Sequence, residues 1–233
     1  MIHLIVSLIA VVPALSITYE ALSMGPNILF AWHPTCMSIA WLILSVHGIY
    51  INRRYPTTKY LIPKGKDSQQ RLHSILMGLA FFLGLVGFWT IYQNKNNAGK
   101  AHFTSWHGKL GLTSQVLVVF QVILGLGSYY KWARPSNISV LKARKFHALY
   151  GILQAIVTAL ALIWGVQSDW FIGKFSTAYQ VMTICVILAA YFLAVYQIYQ
   201  RYLQKREATS SEHLKKMLNL IQNFYIFLKV ALL

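Results

Sequence analysis

Apolar residues gather into six long stretches, roughly 2–22, 30–51, 72–93, 105–130, 146–167 and 175–199, with polar segments between them. Each is close to the ~20 residues that a helix needs to cross ~30 Å of hydrocarbon. Backbone N–H and C=O groups in lipid must be satisfied within the structure itself, which leaves helices and closed barrels. None of the stretches alternates apolar with polar at period two, as barrel strands do. The pattern therefore predicts an all-α integral membrane protein, a bundle of six transmembrane helices. The connections are short enough for neighbouring helices to run antiparallel. No basic residue precedes the first stretch, and its apolar run is longer than a leader's core, so it reads as a span and not as a cleaved signal. The last stretch ends near Arg201, giving a transmembrane domain over 1–201 and a tail over 202–233. The tail is basic up to Lys216 and apolar from Met217, interrupted by Lys229, which fits an interfacial amphipathic helix.

Composition agrees: 57% of residues are hydrophobic, only 11% are charged, and the mean hydropathy is +0.51. The net charge of +16 would suggest nucleic acid in a soluble chain. Here the cations sit between apolar runs, so they report membrane orientation and no nucleic-acid partner is expected. The segment 52–71 carries Arg53, Arg54, Lys59, Lys64, Lys66 and Arg71, the segment 131–145 carries five more, and the tail up to Lys216 another five. The alternate connections hold only Lys95, Lys100 and Lys174. This asymmetry places both termini and the basic segments in the cytosol. Cys36 and Cys185 both lie inside predicted spans, where buried free thiols are the default.

Four histidines then stand out. His33, His73, His107 and His147 each lie a few residues inside the start of a different stretch, 40, 34 and 40 residues apart. Because consecutive helices reverse direction, His33 and His107 share one level, on the lumenal or exterior side. His73 and His147 share the other, on the cytosolic side. Histidine within a span is costly and usually marks function. Two facing imidazoles at one level are what a bis-histidine haem requires, and two levels make a path for electrons across the membrane. At 1.5 Å rise per residue the levels are about 20–25 Å apart. Gly108 and Gly111 follow His107, and Gly151 follows His147, leaving room for a flat macrocycle; ordinary small-residue helix packing explains the same glycines. His47 lies 14 residues after His33 and, at 100° per residue, within about 40° of the same helix face. It reads as a supporting or packing residue, with replacement of His73 or His147 as the alternative. His102 sits with Lys100 and Phe103 on the lumenal side, and reads as a solvent-side residue or a substrate contact and not as an axial ligand.

Three motifs carry a resemblance. Phe30-Ala-Trp-His-Pro-Thr-Cys-Met-Ser-Ile-Ala40, Lys100-Ala-His-Phe-Thr-Ser-Trp-His-Gly-Lys-Leu-Gly111 and Lys145-Phe-His-Ala-Leu-Tyr-Gly151 resemble the second-, fourth- and fifth-helix motifs of the cytochrome b561 family, on the side of its domain-containing branch. The resemblance extends over roughly residues 1–201. It implies a six-helix fold with two haem b groups, one held by His33 and His107 and the other by His73 and His147. It also implies a transmembrane ascorbate-dependent oxidoreductase. Cytosolic ascorbate would be the donor, held by Lys64, Lys66, Arg71 or Arg144, and monodehydroascorbate or ferric iron the acceptor, near Lys100, His102 and Phe103. Arg71, Arg144 and Lys145 are also placed to meet haem propionates. The expected setting is an endoplasmic-reticulum or cytoplasmic vesicle membrane, with a homodimer as the assembly. The chain departs from the family where His47 stands near an expected acidic position, and the apolar tail has no counterpart in it. The alternative function is a histidine-based proton channel or transporter without cofactor.

Overall fold

Apolar length, more than amphipathic period, decides where this chain is helical. The computed structural model describes residues 2–51 and 66–202, together with Asn219 and Gln222. The order is α1 (Ile2–Leu22), α2 (Leu29–Ile51), α3 (Lys66–Asn97), α4 (Trp106–Tyr129), α5 (Val140–Val166), a short α6 (Asp169–Lys174) and α7 (Thr177–Tyr202). Among the described residues, five helices are long and apolar enough to cross a membrane: Leu29–Ile51, Ser68–Asn97, Trp106–Tyr129, Val140–Val166 and Thr177–Gln200. Within α1, Leu8–Leu22 forms a further apolar stretch. The basic positions Arg53, Arg54, Lys59 and Lys64, and the tail expected to form an interfacial helix, lie outside the described residues.

Two helices extend past the apolar stretches that announce them. α3 begins at Lys66 and α5 at Val140, each several residues before the hydrocarbon-length part. Gln69, Gln70 and Arg71 are good helix formers, so backbone hydrogen bonding continues into the polar end while hydropathy falls. Ser139 stops the extension of α5 by capping: its Oγ accepts from the Lys142 N–H at 3.3 Å. Ser105 does the same for α4, accepting from the Gly108 N–H at 3.2 Å.

The helices pair as α2 on α3 and α4 on α5, and α7 joins the two hairpins by packing on α2 and α5. α1 lies against α2 and α7. Helix contacts are built from small side chains: Ala14, Ala40, Ala80, Ala155, Ala159, Ala190 and Ala194 are buried. Lipid tails are as apolar as leucine, so close van der Waals approach holds such helices together where water expulsion does not. Large apolar residues instead face outward, among them Leu15, Phe82, Trp89, Phe120 and Ile156. Glu20 near the end of α1 pairs with Lys174 of α6 at 3.8 Å, at the end of the bundle that carries few basic residues.

One interruption shapes α2. It is α-helical over Leu29–Ser38, π-helical over Ile39–Leu44 and α-helical again over Ser45–Ile51. A π turn carries one extra residue and loosens the i→i−4 ladder. The Trp41 carbonyl in that segment accepts from the buried Tyr191 hydroxyl of α7 at 2.9 Å. In return the buried Tyr50 hydroxyl of α2 donates to the Ala190 carbonyl at 2.7 Å. Reciprocal donors thus tie α2 and α7 across the bundle. Tyr50→Phe and Tyr191→Phe are each expected to cost about 0.6–1.7 kcal/mol, the range for hydrogen bonds between membrane helices. Reversible unfolding in mixed micelles measures this, and an unchanged midpoint for both variants would show that the ties contribute nothing.

Candidate functional site

The four spaced histidines meet as two pairs. His33 and His107 have ring centres 5.9 Å apart and planes at 76°. His73 and His147 have centres 6.2 Å apart and planes at 88°. The equal depth read from the spacing therefore becomes direct juxtaposition, with the expected partners.

Backbone carbonyls of neighbouring helices aim the rings. His33 Nδ1 is 2.9 Å from the Gly87 carbonyl of α3, and His73 Nδ1 is 2.8 Å from the Gly48 carbonyl of α2. His107 Nδ1 is 2.9 Å from the Ala161 carbonyl of α5. A carbonyl only accepts, so Nδ1 carries the proton in these three rings. Each is left with a lone pair on Nε2, a nitrogen free to accept a hydrogen bond or bind a metal. His147 differs: its Nδ1 makes no hydrogen bond of strict geometry, and the Gln121 carbonyl is the backbone group that faces it. The Gln121 side-chain amide fixes the same turn from outside, donating to the His147 carbonyl at 3.1 Å.

The anchors reveal a repeat that the histidine spacing only hinted at. His33 and its acceptor are 54 residues apart, as are His107 and its acceptor. The hairpins α2–α3 and α4–α5 are thus two copies of one plan. In α2, α3 and α5 the helix supplies a histidine at one level and a holding carbonyl at the other; α4 supplies His107. Fifteen residues of α2 separate His33 from Gly48, and fourteen of α3 separate His73 from Gly87. Both correspond to a rise of about 21–23 Å, in agreement with the separation read from the sequence.

The geometry fits a haem at each level. A bond of about 2 Å from each imidazole nitrogen to a shared metal places the ring centres roughly 6 Å apart. Among the described residues no cluster of three or more His, Cys, Asp or Glu occurs, so neither pair belongs to a cage of protein ligands. Two facing imidazoles suit the axial positions of a haem, whose macrocycle supplies the remaining nitrogens. Beside His107, one turn along α4, nothing lies within 4 Å of the point where a Gly111 side chain would begin. That open face is where a flat ring can lie.

The other glycines singled out in sequence serve different ends. A Cβ on Gly151 would meet the Gln121 amide at 2.9 Å, and one on Gly108 would meet the Phe103 backbone at 3.3 Å. The glycines that touch the imidazoles are on the facing helices. A Cβ on Gly165 would lie 3.1 Å from His107 Cε1, and one on Gly125 would lie 3.2 Å from His147 Cε1. Neither was legible beforehand, because the contact depends on the register of two antiparallel helices.

His47 stays outside both pairs. Its Nδ1 is 2.7 Å from the Ile43 carbonyl of its own helix, which supports the packing role over that of a replacement ligand. The π segment Ile39–Leu44 lies between His33 and His47, so a uniform 100° per residue does not carry from one to the other.

Of the proposed donor contacts, Lys64 is outside the described residues and Lys66 enters only as the first residue of α3. Arg71 is exposed and lies two residues from His73, a spacing that puts side chains on opposite sides of a helix. Arg144, half-buried and three residues from His147, shares that histidine's face, whereas Lys145 does not. At the opposite end the acceptor candidates are drawn together. His102 stacks on Tyr92 with centres 4.1 Å apart, and its Nε2 is 2.8 Å from Asn96 Oδ1. Phe103 adopts φ 54° and stacks on Phe88 at 6.3 Å. A left-handed aromatic residue is held against its backbone preference, a feature that gathers at binding sites. Phe88 directly follows Gly87, the anchor of His33, so this loop sits over the His33–His107 level. Lys100 is exposed beside it.

A family model described as "Eukaryotic cytochrome b561" matches residues 32–172, which include all four paired histidines. The chain is 25% identical over 178 residues to "Transmembrane reductase CYB561D2" of Bos taurus, covering 76% of this chain and 79% of that protein. It is 26% identical over 179 residues to the Homo sapiens protein of the same name, with the same coverage. It is 28% identical over 135 residues to "Ascorbate-specific transmembrane electron transporter 1" of Zea mays, covering 58% of this chain and 54% of that protein.

Gly165→Ala and Gly125→Ala should push His107 and His147 aside; if each pair holds a haem iron, each variant should weaken its affinity at that level by about 10-fold or more. Haem per chain after purification measures this, and full retention in both variants would mean that the rings have room to spare.

Proposed function

Because the chain belongs to the eukaryotic cytochrome b561 family, we propose that it carries electrons across a membrane from cytosolic ascorbate to monodehydroascorbate or ferric iron on the lumenal or extracellular side. The observation that carries this reading is the pair of imidazole pairs, 5.9 and 6.2 Å between ring centres, about 21–23 Å apart in depth. The family implies b-type haem, and two haem b groups are proposed, one on His33 and His107, the other on His73 and His147. When bound, such a haem takes up and releases one electron, with its potential set by axial ligands, hydrogen bonds and burial.

The residues of this chain do the positioning. Gly87, Gly48 and Ala161 hold three of the rings in one tautomer, and the facing glycines let the rings sit close to neighbouring backbone. Arg144, with Lys64, Lys66 and Arg71, supplies positive charge for an anionic donor at the cytosolic end. Lys100, His102 and Phe103 form the acceptor contact at the other. The names of the bovine, human and maize relatives, a transmembrane reductase and an ascorbate-specific electron transporter, support both the chemistry and the donor. With α1 as a sixth span, residues 1–201 form the transmembrane domain and 202–233 a cytosolic tail. The positive charge at one end orients both termini to the cytosol, in an endoplasmic-reticulum or vesicle membrane, and two copies form the assembly.

Sealed vesicles with ascorbate trapped inside and an impermeant ferric chelate outside test the function. Reconstituted wild type should reduce the chelate, and His73→Ala or His107→Ala should lower the rate to that of protein-free vesicles. Swapping the external acceptor for monodehydroascorbate distinguishes the two candidates. No reduction by haem-loaded wild type, with histidine-dependent proton flux in its place, would overturn the proposal in favour of the proton-carrying alternative.

A further inference from the structure

Two lysines of α5 are unused by the electron path. Lys142 and Lys145 are exposed at the basic end of the bundle, beside a groove of about 580 Å³ lined also by Asn137, Ile138, Phe146 and Leu149. At 100° per residue, these α5 positions lie on the side of the helix opposite His147, Arg144 and Gly151. The groove therefore opens away from the histidine pair, toward lipid. The same stripe continues as the exposed residues Phe146, Leu153, Ile156, Leu160 and Trp164, at intervals of seven, three, four and four positions that keep to one helix face. From Lys142 to Leu153 the helix rises about 16 Å, close to the hydrocarbon depth of one leaflet. Exposed Tyr129, Tyr130 and Trp132 flank the connection just before α5, and such residues mark headgroup level.

Charge selects the occupant. The chain has five acidic residues, and none lies between Asp67 and Asp169. Among the described residues the one ion pair is Lys174 with Glu20, so neither lysine of the groove has a carboxylate partner there. Two cations with no carboxylate partner among the described residues, above an apolar rail one leaflet deep, match a molecule with an anionic head and apolar tails. We infer that this groove binds one anionic phospholipid of the cytosolic leaflet, its phosphate on Lys142 and Lys145 and its acyl chains along Phe146, Leu149 and Leu153. The choice of leaflet rests on the orientation proposed above; the retention of the lipid does not.

The test is native mass spectrometry of the full chain released from nanodiscs of equal phosphatidylglycerol and phosphatidylcholine. Each lysine near an anionic headgroup contributes roughly fivefold, so wild type should retain phosphatidylglycerol over phosphatidylcholine by on the order of 25-fold. Lys142→Gln with Lys145→Gln should bring the ratio near one, while Lys142→Arg with Lys145→Arg should keep it. Equal retention of the two lipids by wild type would overturn the inference, and is the result expected if a second copy of the chain or a protein segment covers the groove. An undiminished preference in the glutamine variant would overturn it too. So would loss of the bound lipid to millimolar inorganic phosphate, which would make this a site for free anions.

Discussion

The structure depends on one repeated contact: an imidazole Nδ1–H donating to a backbone carbonyl of the adjacent antiparallel helix. In lipid, a histidine without a partner is costly, and a carbonyl already in a helical ladder still has a second lone pair to offer. The contact satisfies both and fixes which ring nitrogen carries the proton. In α2, α3 and α5 the helix carries a ring at one level and an accepting carbonyl at the other, so helix register, ring orientation and depth are set together. Moving α2 by one residue against α3 would release His33 and His73 at once.

The small residues follow from that contact. A ring reaches the carbonyl of a neighbouring helix only where that helix brings no side chain between them. Gly48 and Gly87 meet that need as acceptors, and Gly125 and Gly165 do so by lying directly against the rings of His147 and His107. The alanine-rich helix contacts allow the same closeness elsewhere. α7 then braces the two hairpins, using the carbonyl in the π segment of α2 as one of its hold points.

Much of this was legible in the sequence, for physical reasons. Hydropathy reports the hydrocarbon part of each helix, so five of the six expected spans agreed, while the first is met only by the shorter apolar stretch Leu8–Leu22, and the polar ends of α3 and α5 and the short α6 escaped it. The pairing of His33 with His107 and His73 with His147 was readable because depth in a membrane is set by position along a span, and alternate helices share a direction. The carbonyl anchors were not readable, since any residue carries a carbonyl and the register of two helices decides which one meets a ring. The π segment leaves no mark in the residue types of Ile39–Leu44, so the helical phase from His33 to His47 was not readable. The glycines one turn from the ligands were noticed, but it is those on the facing helices that touch the rings.

The central claim is that each imidazole pair is an axial ligand set, two per chain. The most direct measurement is the haem-to-protein ratio of the purified full chain from haem-replete cells, combined with low-temperature electron paramagnetic resonance of the oxidised form. The account predicts two haems per chain, both low-spin with two nitrogen ligands, falling to one in His33→Ala and to one in His147→Ala. A colourless wild type, or variants that both keep the wild-type haem content, would contradict it.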